Sequence, residues 1–340
     1  MCVASLNMNG FGHLKADHPD NKWSRMYRMM KEHRIAILFL QETHLTESRT
    51  DSIHKMFGRK IKVFHSANPE APTQREGVAI VLNSKYMNVS DGSVREIVPG
   101  RAMQLDLKCQ GDYTRHMLCI YAPTSEGVEE RRNFFSQLKN FYESHPSCPK
   151  PDLLAGDFNN VEDAVDRLPI SEGPDASILA LDDLKLTLGL MVADGWRTTY
   201  PHAREYTFHR GSGPAAISSR LDRIYVSPRL FDHARDWKIS TTGVKTDHQL
   251  VSVQLTSDKA PVVGPGRPIF ALHLLNDKKL TAAVKQRGLE AIHELTNLEA
   301  SGVRTADMNP QRILQNFKTD TMSMARKRER EVVPKLLAEI

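Results

Sequence analysis

The chain has 340 residues, 40% hydrophobic and 26% charged, with a net charge of +5. That balance excludes a disordered chain, and no apolar run approaches the ~18 residues of a membrane span. The mild positive charge permits a phosphate-bearing partner without specifying one, and the length suits about two domains or one large α/β domain plus an appendage.

Four cysteines (Cys2, Cys109, Cys119, Cys148) form no CxxC pair and no metal-type spacing, so they read as reduced thiols of an intracellular protein. Ser5, Asn7 and Asn9 interrupt any signal-peptide core. Residues 2–6 predict a first strand, with Asn7-Met8-Asn9-Gly10 turning out of it; a strand this close to Met1 points to a natural start upstream. Trp23, Met26, Met29 and Met30 give a helical stripe, and residues 35–40 predict a buried strand closing on Gln41-Glu42-Thr43-His44. Further strands are expected over 77–82, 103–107 and 117–121, the last stopped by Pro123, since proline cannot donate into a sheet. Phe134, Leu138 and Phe141 mark a helix.

The run at 152–160 ends on Gly156, and Asp157 and Asn159 follow two positions apart. Alternate side chains of an extended segment share a face, so a carboxylate and an amide emerge together there. A capped turn explains the same residues equally well. Ile178, Leu181 and Leu184 then mark a loop-and-helix stretch, followed by Asp194-Gly195-Trp196-Arg197. Tyr206-Thr207-Phe208 and residues 221–226 predict two strands, and residues 208–219 a protruding hairpin loop with His209 and Arg210 at its base. The final strand, 249–255, is headed by Asp247-His248. Prolines and glycines cluster in 257–268, a predicted linker between a domain at 1–256 and a helical connector at 269–340. In that connector Asn309 caps a helix opening on Pro310, and apolar stripes run through Leu289, Ile292, Leu295 and through Ile313, Phe317.

Predicted strand ends thus carry Asn7, Glu42, Tyr121, Asp157 with Asn159, Asp222, and Asp247 with His248. Singly, Glu42 reads as a solvated cap, Asp247-His248 as a turn and Tyr121 as a half-buried aromatic. His44, His202 and His209 are given no role and read as surface histidines. Gathered in one place, the carboxylates would repel at a cost of several kcal/mol without compensation. A divalent cation is that compensation, and oxygen-rich, thiol-free ligation suits Mg²⁺, with Mn²⁺ as a substitute. Phosphodiester hydrolysis needs a Lewis acid, an activated water and a stabilised leaving oxygen, and these residue types supply such parts.

The ordered set Leu6-Asn7-Met8-Asn9-Gly10, Gln41-Glu42-Thr43-His44-Leu45, Ile120-Tyr121-Ala122-Pro123, Gly156-Asp157-Phe158-Asn159, Tyr206-Thr207-Phe208, Leu221-Asp222-Arg223-Ile224 and Thr246-Asp247-His248 resembles the endonuclease/exonuclease/phosphatase family. Within it, residues 41–45, Asp194-Gly195-Trp196-Arg197 and the tail are similar to the endonuclease domain of non-LTR (LINE-type) retrotransposons. The resemblance implies a four-layered α/β sandwich, two packed sheets flanked by helices, followed by the helical tail. It implies an Mg²⁺-dependent endonuclease that nicks double-stranded DNA and leaves a 3′-hydroxyl, in the nucleus, with a reverse transcriptase domain as partner beyond this chain.

Carried over by motif, Glu42 binds the metal with Asn7 and Asp247 beside it, and Asp157 handles the proton of the attacking water or leaving oxygen. Asn7 and Asn159 orient Asp157 and the phosphate, His248 paired with Asp222 contacts the phosphate, as does Tyr121, and Thr207 supports the network. Asn9 stands where the apurinic/apyrimidinic repair enzymes of the family have a carboxylate, which speaks against a repair role, and Thr246 replaces a common serine. The rival readings are a phosphatase or phosphodiesterase acting on small or lipid phosphates, and a catalytically idle nucleic-acid-binding remnant.

Overall fold

The computed structural model describes residues 1–15, 18–109, 113–124, 127–170, 175–213, 216–256, 270 and 274–338. The chain divides into two compact units, Met1–Ala260 and Pro261–Ile340. The predicted linker, 257–268, lies outside the described residues.

In the first unit, β1 (Cys2–Asn7), β2 (Ile35–Gln41), β3 (Ile61–Ser66), β4 (Val78–Asn83), β13 (Ala234–Ser240) and β14 (Leu250–Leu255) form one sheet, ordered β13-β14-β1-β2-β4-β3. A second sheet, ordered β12-β8-β7-β6-β5, is built from β5 (Gly92–Val98), β6 (Ala102–Cys109), β7 (Tyr113–Tyr121), β8 (Leu153–Asp157) and β12 (Asp222–Val226). The pairs β1–β2 and β7–β8 are parallel and the other pairs in these sheets antiparallel.

Strands β1, β2, β4, β8 and β12 are buried along their whole length, which is why their sequences are mostly apolar rather than alternating, with polar residues such as Asn7, Gln41, Asp157 and Asp222 at their ends. Val3, Ile37, Phe39 and Ile80 of one sheet pack on Met103, Leu105, Met117 and Ala155 of the other. The outer face of the first sheet is covered by α1 (Lys22–Glu32) and α2 (Glu47–Phe57) through Trp23, Met26, Ile53 and Phe57. That of the second is covered by α3 (Val128–Ser144) and α4 (Ser177–Leu188) through Phe135, Leu138, Leu181 and Leu184. The layers are therefore helix, sheet, sheet, helix, as expected from the resemblance. Each fully buried large side chain contributes ~1.5–3 kcal/mol.

In the two large sheets, three strands escape the sequence reading, β3, β5 and β13. All are sheet edges whose solvent-facing positions are polar, and they carry no apolar run to detect. A small third sheet, β10-β11-β9, comprises β9 (Arg167–Leu168), β10 (Phe208–Arg210) and β11 (Ile217–Ser219). The expected hairpin is present, with Phe208 opposite Ser219. The strand expected at Tyr206-Thr207-Phe208 begins only at Phe208, because Thr207 turns its hydroxyl to the backbone of Leu221 and Asp222. Two short helices, α5 (Gly195–Thr199) and α6 (Pro228–Phe231), complete the unit. Gly195 is obligatory where it stands, since a Cβ there would lie 1.9 Å from the Trp237 ring.

The second unit is an antiparallel pair, α7 (Lys278–Ser301) and α8 (Pro310–Ala338), joined by Leu280 with Ala325 at one end and Leu298 with Ile313 at the other. Asn309 accepts from the Arg312 N–H at 3.0 Å, the expected cap ahead of Pro310. The predicted stripe of Leu289, Ile292 and Leu295 is not the packed face: these residues are 63%, 61% and 37% exposed. Here α8 approaches over the small residues of α7, burying Ala291, and Phe317 lies 3.7 Å from where a Gly288 Cβ would sit.

Candidate active site

Register brings the candidate residues to one end of both sheets. Asn7 closes β1 and Glu42 follows β2, its parallel neighbour. Asp157 closes β8 directly opposite Asp222 on β12 and Tyr121 on β7. Asp247 and His248 immediately precede β14, the other neighbour of β1. Gly156 makes the approach possible: a Cβ there would fall 1.9 Å from the Ile120 carbonyl oxygen. Asn9, Glu42 and Asn159 all adopt left-handed backbone, with φ of 48°, 49° and 49°. For a glutamate that conformation costs on the order of 1–3 kcal/mol and persists only where its surroundings enforce it, here with Gly10 N–H donating to the Glu42 carbonyl at 2.8 Å.

The side chains form one connected network. The Asn7 amide nitrogen donates to Glu42 Oε1 at 2.9 Å and to Asp157 Oδ2 at 3.0 Å, while its oxygen accepts from the Asn9 N–H at 2.9 Å. That last bond fixes which way the amide faces. Asn9 Nδ2 donates to Asp247 Oδ1 at 2.9 Å. The Asn159 N–H donates to Asp157 Oδ1 at 3.0 Å, and its amide to the Ala122 carbonyl at 2.8 Å. His248 Nδ1 lies 2.8 Å from Asp222 Oδ2, and its Nε2 lies 3.9 Å from Asp157 Oδ2. Thr246 donates to the Asn7 carbonyl at 2.8 Å, and Tyr121 hydrogen-bonds Glu42.

Burial and charge set the protonation states. Asp157 is pushed up to about 7, first by burial and then by the neighbouring Asp222 carboxylate. Burial disfavours the His248 imidazolium, but Asp222 and then Asp157 outweigh it and raise its pKa to about 10. Burial, then the Glu42 and Asp157 carboxylates, raise the Tyr121 hydroxyl far above its usual range, so it stays a neutral donor. Among the described residues, Asp222 Oδ1 is buried without a hydrogen-bond partner.

Glu42, Asp157, Asn159, Asp247 and His248 line a cavity of about 580 Å³, with Arg167, Phe208 and Arg210 of the small sheet along its wall. Asn7, Thr207 and Asp222 are fully buried. Of the histidines set aside on sequence, His202 and His209 are exposed, but His44 is half-buried, with its pKa lowered by burial. Two residues of this region carried no sequence signal. Arg101 stacks on the Tyr121 ring at 5.4 Å while held by Glu76 at 2.7 Å, and Lys22 reaches the turn after β1.

Two groups of atoms suit a hard cation. Ligand atoms of Asp157, Asp222 and His248 lie within 4.8 Å of one another, while Glu42 and Asp247 face the open cavity. The first group is fully buried, and its histidine already shares Nδ1 with Asp222. The second is all-carboxylate and open to solvent, the donor set that fits Mg²⁺ with several waters retained.

Two packed sheets flanked by helices, with carboxylates, amides and an Asp–His pair gathered at one end, define a hydrolase of the α/β-sandwich class. Residues 4–258 match the model of the Endonuclease/Exonuclease/phosphatase family, and the chain belongs to that family. It is 26% identical over 281 residues to the Transposon TX1 uncharacterized 149 kDa protein of Xenopus laevis, an alignment spanning 82% of this chain but 19% of that protein. The fold is shared with the endonuclease domain of TRAS1, a telomere-specific non-LTR retrotransposon, at a TM-score of 0.52 and 16% identity, covering 76% of this chain and 99% of that one. It is shared also with an AP endonuclease from Archaeoglobus fulgidus, at a TM-score of 0.57 and 19% identity, covering 76% and 100%. A 3′ phosphatase from Neisseria, bound to a product DNA hairpin, gives 0.58 and 18%, covering 76% and 100%.

Proposed function

We propose that this chain is an Mg²⁺-dependent endonuclease that hydrolyses one phosphodiester of double-stranded DNA and leaves a 3′-hydroxyl, the end from which a reverse transcriptase can extend. The observation that carries the reading is the unbroken hydrogen-bonded and charged chain from Glu42 through Asn7 to Asp157, His248 and Asp222 at one cavity. Glu42 and Asp247 hold the cation. Asn7 stands beside them, its amide nitrogen orienting Glu42 and Asp157 and its oxygen accepting from the Asn9 N–H. When bound, the cation supplies Lewis-acid stabilisation of charge on the phosphate.

The chain's own groups do the rest. Asp157, with a pKa near 7, accepts a proton from the attacking water, held in place by Asn7 and the Asn159 N–H. His248, kept protonated by Asp222, presents positive charge and an N–H to the scissile phosphate. Tyr121 donates its hydroxyl hydrogen to a phosphate oxygen. Residues 1–256 carry this activity. The helical pair acts as a connector to a reverse transcriptase domain, and the nucleus, where the target DNA lies, is the site of action.

The test is a supercoiled-plasmid nicking assay with and without Mg²⁺, run beside release of phosphate from small and lipid phosphates. Nicking that needs the metal and yields ends a polymerase can extend is expected. Phosphate release without nicking would assign the chain to the phosphatase branch, and activity in neither assay would leave only a nucleic-acid-binding role.

A further inference from the structure

Lys22 opens α1, where a lysine is ordinarily solvated and opposed by the helix dipole, yet its side chain is buried. Its ammonium donates to the Met8 and Asn9 carbonyls, both at 2.7 Å. Those carbonyls belong to the turn that leaves β1. The same turn aims Asn7 at Glu42 and Asp157, and Asn9 at Asp247. One cation of the protein therefore fastens the backbone from which two asparagines reach three carboxylates. Charge-assisted bonds of this kind are roughly twice as strong as neutral ones.

The surrounding chain is folded to make the reach possible. Asn21 caps α1 by accepting from the Ser24 N–H at 2.9 Å, and its amide holds the Leu14 and Lys15 carbonyls at 3.3 and 2.9 Å. At Gly12 a Cβ would sit 2.5 Å from the Asp20 carbonyl oxygen and 2.8 Å from Lys22 Cγ, so only glycine lets the loop close over the lysine stem.

We propose that Lys22 is a positioning residue for the cation site, acting through the Asn7–Asn9 turn rather than by touching the substrate. The inference rests on the reading that Glu42 and Asp247 hold a divalent cation. Geometry and charge predict opposite signs here. If Lys22 acted only as a nearby positive charge, its removal would tighten cation binding by relieving repulsion. If it acts by holding the turn, its removal loosens the carboxylates and weakens binding.

The decisive variant is Lys22→Met, which keeps the aliphatic stem and removes both donors. Mn²⁺ binding is read directly by electron paramagnetic resonance of the free ion, and nicking is titrated with Mg²⁺. The expected result is about tenfold weaker Mn²⁺ binding, some 1.4 kcal/mol. The Mg²⁺ needed for half-maximal nicking should rise in parallel, with the rate at saturating Mg²⁺ within about threefold of the unaltered protein. Lys22→Gln, able to donate to one carbonyl, should fall between, and it decides the matter by the same readouts if Lys22→Met does not fold. Unchanged or tighter Mn²⁺ binding in a folded variant overturns the positioning role. Mn²⁺ binding absent from the unaltered protein overturns the cation reading instead, and this inference with it.

Discussion

Asp157 and Asp166 are both buried aspartates in the stretch that runs out of β8, and their surroundings are built in opposite ways. Asp166 receives Arg220 through two bonds, 2.8 Å from Nε and 2.7 Å from Nη2, and Arg197 through a third. Arg220 also binds Asp194 at 2.8 Å, and both guanidiniums stack on Trp196. Burial alone would push Asp166 up, but these cations hold it below the usual carboxylate range. Among the described residues no guanidinium bonds Asp157: it receives one amide and one backbone N–H, lies 3.9 Å from His248 and faces Asp222. The difference separates scaffold from chemistry. A matched buried carboxylate is locked ionised and can do nothing but hold; an undermatched one near neutrality can exchange a proton.

The comparison breaks first at Arg220. Arg220→Met leaves Asp194 buried without a guanidinium and Asp166 with Arg197 alone, and should cost about 3–5 kcal/mol of stability. Urea denaturation reads this, and a loss below about 1 kcal/mol would mean the network is not the scaffold described. On the catalytic side, His248→Ala should lower the nicking rate by at least ~10²-fold in a variant that still folds, although loss of the Asp222 pair lowers its unfolding midpoint. A loss under threefold at saturating Mg²⁺ would remove His248 from the chemistry.

Proton linkage sharpens the contrast. His248 titrates at about 10 in the fold against an ordinary 6.5, because Asp222 outweighs burial. A raised folded pKa gives stability that is complete below pH 6.5 and is lost as pH climbs toward about 10. Metal-free protein should therefore lose stability across that window more steeply than His248→Gln, and equal slopes in thermal melts at stepped pH would contradict the ion pair. The smallest effect is expected at the tail. A chain ending after residue 256 should nick at an unchanged rate and stay folded, and loss of either would make α7 and α8 part of the nuclease core.

The candidate set is legible in the sequence because its members close or head apolar runs, and strand ends are where a motif can be seen in one dimension. The scaffold network is not: Asp166 and Arg220 are 54 positions apart, and nothing local distinguishes them from surface charges. Lys22 is hidden for the same reason, since its partners are carbonyls that the sequence does not distinguish. The left-handed backbone of Glu42 is equally invisible, because it is imposed by bonds from Gly10 and the turn around it. In the tail, the apolar period at Leu289, Ile292 and Leu295 lies off the packed face, which runs through Leu280, Ala291 and Leu298 with Gly288 at the closest approach.

Whether Glu42 holds the cation on which Asp157 and His248 depend is read from Glu42→Ala in the plasmid assay, with its folding followed in parallel. Nicking should disappear at every Mg²⁺ concentration, while the metal-free melting temperature holds or rises, because removing one carboxylate relieves repulsion in a crowded anionic site. A folded Glu42→Ala protein that nicks plasmid at the normal rate would contradict the account.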